Sequence, residues 1–455
     1  MKRLKSLILS CIMLFLCFSC VFTFGGCADR SQTLRLYVPG EYIPDETLDG
    51  FEDWYYEVTG KTITVVKKEF DTNETMYTMV ATKKQDFDVI CPSDYMVERL
   101  KNEGVLEKLS EDVLDQTITL EDGTEYLGVR QNILGENNEN EDLVKLIKSY
   151  DPNFEYATPY MWGTMGIMYY YDGDQQNVGD VNAADYLKST WKSLFDVTTQ
   201  KIYMKDSERD CYTIALFNYY YNDLKTASKN FTDFNTTEYQ ALLQDIFTLG
   251  DNFEEKLEYA KTTLSNQKKY VYDYETDEGK DDLLTSKGAQ GYYGMFWSCD
   301  AGYIMADWSG EEVVYNQNFR YIIPTEGSNV WIDSFCIPKY AGNKRAANLF
   351  MQYISNPNVS FDCMDYAGCT SATYQTTVDY YDYLMDEEES AIFNECTEAF
   401  RAMYLALMFP HLDIQTDNYY FPSQLNKCGI MRDLGSKASD SLLVMWAKLR
   451  REIIF

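Results

Sequence analysis

The sequence predicts an α/β fold in two parts, each a mostly parallel sheet flanked by helices, and three observations carry that prediction. Strand-like and helix-like stretches alternate between residues 34 and 104, the order that gives parallel strands joined by right-handed crossovers. A second strand-rich stretch opens at residue 164, where a second lobe begins. The chain is 455 residues long, 45% hydrophobic and 25% charged, which is enough apolar mass for two domains of moderate size.

In order, residues 34–38 alternate as a strand, and Pro39-Gly40-Glu41-Tyr42-Ile43-Pro44 is a turn-rich loop. Leu48, Phe51, Tyr55 and Val58 recur at helical spacing, with Gly60 as the stop. Ile63, Val65 and Val66 form a second strand. Asn73 is the expected N-cap of a helix carrying Met76, Met79 and Val80, residues 87–91 are a third strand, and Pro92-Ser93-Asp94-Tyr95 leads into a helix ending near Gly104. In such sheets ligands bind beyond the carboxyl ends of the strands. Tyr42, Ser93 and Tyr95 emerge there, so they are either a binding site or packing for their own loops.

The acidic, Asn-rich stretch 107–151 is expected to be a surface excursion. Residues 156–171 run into a strand, 201–204 are another, and Asp206-Ser207-Glu208-Arg209-Asp210 starts a helix whose acidic first turn suits the dipole or cap. The charged region 249–287 suggests added helices, 292–297 a buried strand ending in Ser298-Cys299-Asp300, and 320–323 a further strand. Helices are expected over 343–354 and 436–451.

The stretch Gly327-Ser328-Asn329-Val330-Trp331-Ile332-Asp333-Ser334-Phe335 has strand rhythm, which puts Trp331, Asp333 and Phe335 on one side. A carboxylate beside an indole resists leaving water unless a cation meets it. Asp333 therefore either sits on an exposed strand face or waits for a positive ligand.

With 72 acidic residues against 40 basic, the formal charge of −32 argues against nucleic acid as a partner and favours cations. The 39 Tyr and 7 Trp suit an aromatic-lined cleft as well as a core. Lys2, Arg3 and Lys5 precede an apolar run over residues 7–24, as in a secretory signal, although a run of that length also suits an uncleaved anchor. Its end, Gly25-Gly26-Cys27 before Ala28-Asp29-Arg30, resembles the lipobox of bacterial lipoproteins, with Phe24 where an aliphatic residue is usual. That resemblance implies a lipid-modified Cys27 tethering an extracytoplasmic chain to the outer face of the cytoplasmic membrane, with a periplasmic location as the alternative.

Of 12 cysteines, Cys11, Cys17 and Cys20 lie in the signal. Cys91, Cys211, Cys299, Cys336, Cys363, Cys369, Cys396 and Cys428 contain no CxxC pair and no metal-ligand cluster, and although an exported chain permits disulfides, buried free thiols are expected. Asp172-Gly173-Asp174 begins like a calcium loop but lacks the later ligands. No metal and no cofactor is expected. His411 is the single histidine, so an HExxH zinc site is excluded, and there is no GxSxG elbow or phosphate-binding Walker loop. Binding is favoured over catalysis, with a surface glycosidase using paired carboxylates as the rival reading.

Several blocks in register then carry a resemblance: Leu36-Tyr37 with Glu41-Tyr42-Ile43-Pro44, Asn73-Glu74-Thr75-Met76-Tyr77, Val89-Ile90-Cys91-Pro92-Ser93-Asp94-Tyr95, Pro159-Tyr160-Met161-Trp162-Gly163, and Trp331-Ile332-Asp333-Ser334 with Ile337-Pro338. Over residues 33–370 the chain resembles the spermidine/putrescine substrate-binding proteins of polyamine ABC importers. That implies a two-lobed periplasmic-binding-protein fold with crossovers near 163–169, 333–338 and 366–371. The expected organisation is a signal peptide over 1–26, a lipidated linker over 27–32, one lobe from 33–165 plus 335–368, and a second from 166–334 plus 369–455.

The resemblance further implies ligand contacts from Tyr42, Ser93 and Tyr95 in the first lobe and from Asp210, Trp297, Trp331 and Asp333 in the second lobe and hinge. Asp333 would hold one amine, Asp210 the other end, and the aromatics the methylene chain. Pro39 stands where an indole is usual, Ser207 where a second acidic residue is usual, Cys369 in place of a tyrosine and Met431 in place of a glutamine. The ligand is accordingly a polyamine or, alternatively, another small cationic or neutral solute. The implied partners are a membrane permease and its cytoplasmic ATPase, served by a monomer.

Overall fold

The structure, a computed structural model, describes residues 30–135, 139–171, 189–199, 201–275, 278–307 and 313–451. The signal, Cys27 and the Asp172-Gly173-Asp174 stretch lie outside them. The first part alternates as predicted: β1 (Thr33–Pro39), α1 (Asp45–Thr59), β2 (Thr64–Phe70), α2 (Asn73–Tyr77), β3 (Val89–Ile90) and α3 (Asp94–Asn102). β1 pairs in parallel with both β2 and β3. Gly60 ends α1 in the left-handed region at φ 66°, its N–H reaching the Tyr56 carbonyl, a conformation that favours glycine.

Asn73 does not cap α2. Thr72 does, its hydroxyl accepting the Thr75 N–H, and Asn73 turns instead to Ser93, donating to its hydroxyl at 2.9 Å and accepting its N–H at 3.0 Å.

The acidic stretch after residue 107 is not a surface excursion. It contains α4 (Val129–Leu134) and α5 (Glu141–Tyr150), which bury Val129, Ile133, Leu143, Ile147 and Tyr150. The acidic residues occupy the outer faces of amphipathic helices whose apolar stripes meet the core. Composition averaged over the stretch hides that stripe.

The chain continues through β4 (Ala157–Tyr170), β5 (Ile202–Lys205), α6 (Glu208–Tyr219), α7 (Phe253–Gln267), β6 (Val271–Glu275), β7 (Tyr293–Trp297), α8 (Ser298–Met305), β8 (Phe319–Ile322), β9 (Ser328–Pro338), α9 (Lys344–Ile354), α10 (Pro357–Ala367), β10 (Thr370–Ser371), β11 (Cys428–Ile430) and α11 (Gly435–Arg451). The main path of the sheet is β2-β1-β3-β9-β4-β7-β5-β6. β4 joins its two halves. From Ala157 to Thr164 it runs antiparallel to β9, and from Met165 to Tyr169 antiparallel to β7. Outside these central strands, β7, β5 and β6 are parallel, as β1 is to its neighbours.

The charged region 249–287 therefore supplies the predicted helix α7 but also β6, a strand of the sheet. Two apolar cores result, one around β1, β3 and α9 and one around α6 and α11.

In β9 the register against β4 shifts between Asp333 and Ser334. The extra residue at the shift is Tyr160 of β4, so β9 keeps its own alternation; Trp331 and Asp333 are half-exposed, and Phe335 is buried in the core. There it meets Tyr160 at 4.6 Å and Phe350 at 5.4 Å between ring centroids.

Cys299 and Cys369 form a disulfide with Cα atoms 4.4 Å apart, which corrects the expectation of eight free thiols. The other six are free and buried. Gly302 and Gly368 let α8 and the segment before β10 approach, since a side chain at Gly302 would collide with the Gly368 carbonyl. A separation of 70 residues leaves no local sequence signal for the pair. Closing a loop of that length restricts the unfolded chain, so removing both sulfurs with C299S/C369S is expected to cost about 2–4 kcal/mol. Denaturant unfolding of the double variant checks it; an unchanged midpoint would show that the bridge adds nothing to stability.

Candidate functional site

Tyr42, Ser93, Tyr95, Asp210, Trp297, Trp331 and Asp333 all line one cavity of about 170 Å³ between the two half-sheets. The polar loops after β1 and β3 reach it from one side, and those after β5 and β7 from the other, the position expected for parallel strands.

At one end the Asp333 carboxylate accepts two neutral donors, the Tyr42 hydroxyl at 2.8 Å and the Ser93 hydroxyl at 2.6 Å. Ser93 precedes α3 at its N-cap position without making a side-chain cap hydrogen bond, so its hydroxyl serves Asp333. Tyr42 is held in place from behind: its ring packs edge-on against Tyr160 at 5.3 Å, and the Tyr160 hydroxyl donates to the Tyr42 carbonyl at 2.8 Å. Burial pushes Asp333 up to about 6, with the two hydroxyls pulling the other way. Among the described residues no lysine or arginine forms an ion pair with it.

The indole of Trp331 lies beside Asp333, its N–H donating to the Thr164 carbonyl at 3.1 Å. Gly163 makes room for the ring, since a Cβ there would come within 2.7 Å of it.

At the other end Asp210 sits in the first turn of α6, where it accepts the Trp297 indole N–H at 3.3 Å. Ser207 is the N-cap of that helix, accepting the Asp210 N–H at 3.2 Å. Burial pushes Asp210 up to about 6 as well, against hydrogen bonds from Ser207 and Trp297. The Tyr95 hydroxyl donates to Glu74 at 2.9 Å. Burial raises Glu74, and burial with repulsion from Glu74 pushes neighbouring Glu208 up to about 8.

Sequence reasoning named Glu74 only as part of a matching block and missed it as a cavity residue. Asp300 and Lys280, also in the lining, were missed as well. Asp300 had a local signal, three residues beyond Trp297 at a helix start. The four departures, Pro39, Ser207, Cys369 and Met431, all line the cavity too. Lys280 and Glu41, both in the lining, form an ion pair at 3.3 Å, and outside the lining Arg432 pairs with Glu98, its Nε at 3.0 Å.

A profile of the bacterial extracellular solute-binding proteins matches residues 51–388. The chain belongs to that family. Within it, the spermidine/putrescine-binding periplasmic protein of Escherichia coli is 25% identical over 335 residues, 73% of this chain and 75% of its own. The E. coli putrescine-binding periplasmic protein PotF is 24% identical over 360 residues, 78% of this chain and 81% of its own.

Two solved structures share the fold. The spermidine/putrescine substrate-binding protein PotD of Streptococcus pneumoniae superposes with TM-score 0.56 at 20% identity, covering 92% of this chain and 99% of its own. The TpPotD lipoprotein of Treponema pallidum gives 0.58 at 18%, covering 92% and 100%. The two half-sheets are thus the two lobes of a periplasmic-binding-protein fold. Extracellular solute-binding proteins work outside the cytoplasm, and among the described residues no helix is long and apolar enough to cross a membrane.

Proposed function

We propose that this protein captures a short polyamine, putrescine or spermidine, between its lobes and delivers it to a membrane permease driven by a cytoplasmic ATPase. One observation carries the reading: Asp333 is a half-buried carboxylate beside an indole that receives two neutral hydroxyl donors and, among the described residues, no ion pair from a lysine or arginine. An ammonium placed there supplies the missing charge, and an indole face adds about 0.5–2 kcal/mol. The names of the curated relatives, which are polyamine-binding proteins, support it.

Asp333 and Trp331 hold one amine, Asp210 receives the other, and Tyr42, Ser93, Tyr95 and Trp297 orient the chain between them. Micromolar affinity requires only about 8 kcal/mol net, within reach of a few charge-assisted contacts in a preorganised cleft. Ligand bound to one lobe stabilises closure by touching the other, a hinge motion between lobes spanning 33–165 plus 335–368 and 166–334 plus 369–455. Residues 1–26 serve as the signal peptide, and lipid on Cys27 tethers the monomer through the linker 27–32. The protein is a binder and not a catalyst.

The test is a thermal-shift screen of the chain lacking residues 1–27 against putrescine, spermidine, spermine, amino acids and sugars. Stabilisation by amines alone is the expected result. Stabilisation by a sugar or an amino acid with none by amines overturns the reading.

A further inference from the structure

β5 ends on Lys205, whose side chain is completely buried directly behind the second-lobe wall of the cleft. Its ammonium lies 2.8 Å from Asp300 and 3.1 Å from Glu275, and 4.1 Å from the centroid of the Trp297 ring. The ends of β5 and β6 and the β7–α8 junction therefore converge on one internal cation. Burial works against its charge, but the carboxylates of Asp300 and Glu275 outweigh that and keep its pKa above the ordinary lysine value. Lys205 is charged while the protein is folded.

This changes what the cleft offers a ligand. Asp300 lines the cavity, yet its Oδ2 is committed to Lys205 and to the Trp297 backbone N–H at 3.0 Å. Trp297, the aromatic wall at this end, already carries a cation near its ring, which weakens its attraction for a second one. Asp333 differs: its partners are neutral hydroxyls. Asp333 and Asp210 thus accept from neutral donors, whereas Asp300 is answered by a cation from inside the chain.

We propose that Lys205 is a positioning residue that sets the charge of the accepted ligand: by neutralising Asp300 behind Trp297, it makes the cleft prefer a diamine held between Asp333 and Asp210 over a longer amine with a third ammonium. The inference rests on the polyamine reading above. Its physical basis is that repulsion from the internal cation grows with each charge the ligand carries, and that Asp300, the cavity carboxylate beside Lys205, is already committed to it.

Calorimetric affinities for putrescine and spermidine, measured on the wild type and on K205M, K205R and K205M/E275Q, test it. The double variant removes one charge of each sign from the buried cluster, so it keeps the test available where K205M alone fails to fold. K205M, or K205M/E275Q in its place, is expected to move the ratio of spermidine to putrescine affinity at least about tenfold toward spermidine, while K205R holds the wild-type ratio. A merely structural lysine would lower both affinities together and leave the ratio alone. A folded K205M/E275Q with an unchanged ratio overturns the inference while the polyamine reading stands. Failure of the wild type to bind either amine overturns both.

Discussion

Asp333→Asn is expected to weaken putrescine binding at least tenfold without destabilising the ligand-free protein. The carboxylate is the acceptor for two hydroxyls, at 2.8 Å from Tyr42 and 2.6 Å from Ser93, and an amide oxygen can keep one of those bonds. It cannot supply the negative charge. A hydrogen bond to a charged group contributes about 1.5–3 kcal/mol, and each 1.4 kcal/mol is a factor of ten, so the loss falls between about tenfold and a hundredfold. Burial disfavours the ionised carboxyl, so the neutral amide relieves a cost in the empty cleft, and the melting temperature without ligand should hold or rise. Calorimetry and a thermal melt on the same preparation separate the two effects. Unchanged affinity removes Asp333 from its assigned role, and lost affinity with a lowered melting temperature would point to a damaged fold.

Much of this site was legible because its residues sit where local rules place them. Tyr42, Ser93 and Tyr95 follow strands whose alternation with helices marks a parallel sheet, and such sheets expose their carboxyl ends to ligand. Trp331 and Asp333 share a face by strand periodicity. Phe335 is buried against Tyr160 and Phe350 rather than lining the cleft, and the register shift beside it lies at Tyr160 of the partner strand, where no glycine marks it in the sequence.

The misreadings elsewhere share a cause: the deciding partner is distant in sequence. Asn73 looked like a cap because Ser93, its actual partner, is 20 residues away. Cys299 and Cys369 meet only because α8 and the end of α10 pack together. The acidic stretch 107–151 concealed a buried stripe on α5 that matters only once a core exists to receive it. Lys205 is the clearest example. At the end of an apolar strand it looks like an ordinary edge residue, and its importance arises from Glu275 and Asp300, 70 and 95 residues further along.

Asp333 and Asp210 also make ligand binding depend on pH, in a direction opposite to that of the empty protein. Burial pushes both Asp333 and Asp210 up to about 6, from an ordinary value of 3.8. A carboxyl whose folded-state pKa is raised binds protons more tightly folded than unfolded. Its contribution to the stability of the ligand-free protein is therefore greatest below pH 3.8 and is lost as pH rises through about 6. A cationic ligand reverses the sign, because it requires the ionised forms. At pH 5 each group would be about one-tenth ionised, so diamine affinity should fall about a hundredfold between pH 7.5 and pH 5, with protons released on binding in that window. Glu74 lines the same cavity, and burial raises its pKa as well. The expected observation is a melting-temperature increment from putrescine that is large at pH 7.5 and small at pH 5. Asp333→Asn and Asp210→Asn should each flatten the profile by roughly one proton, because each removes one titrating group. An increment independent of pH across that range would mean that neither carboxylate meets the ligand's charge, and a profile left unaltered by both substitutions would assign the titration to other groups.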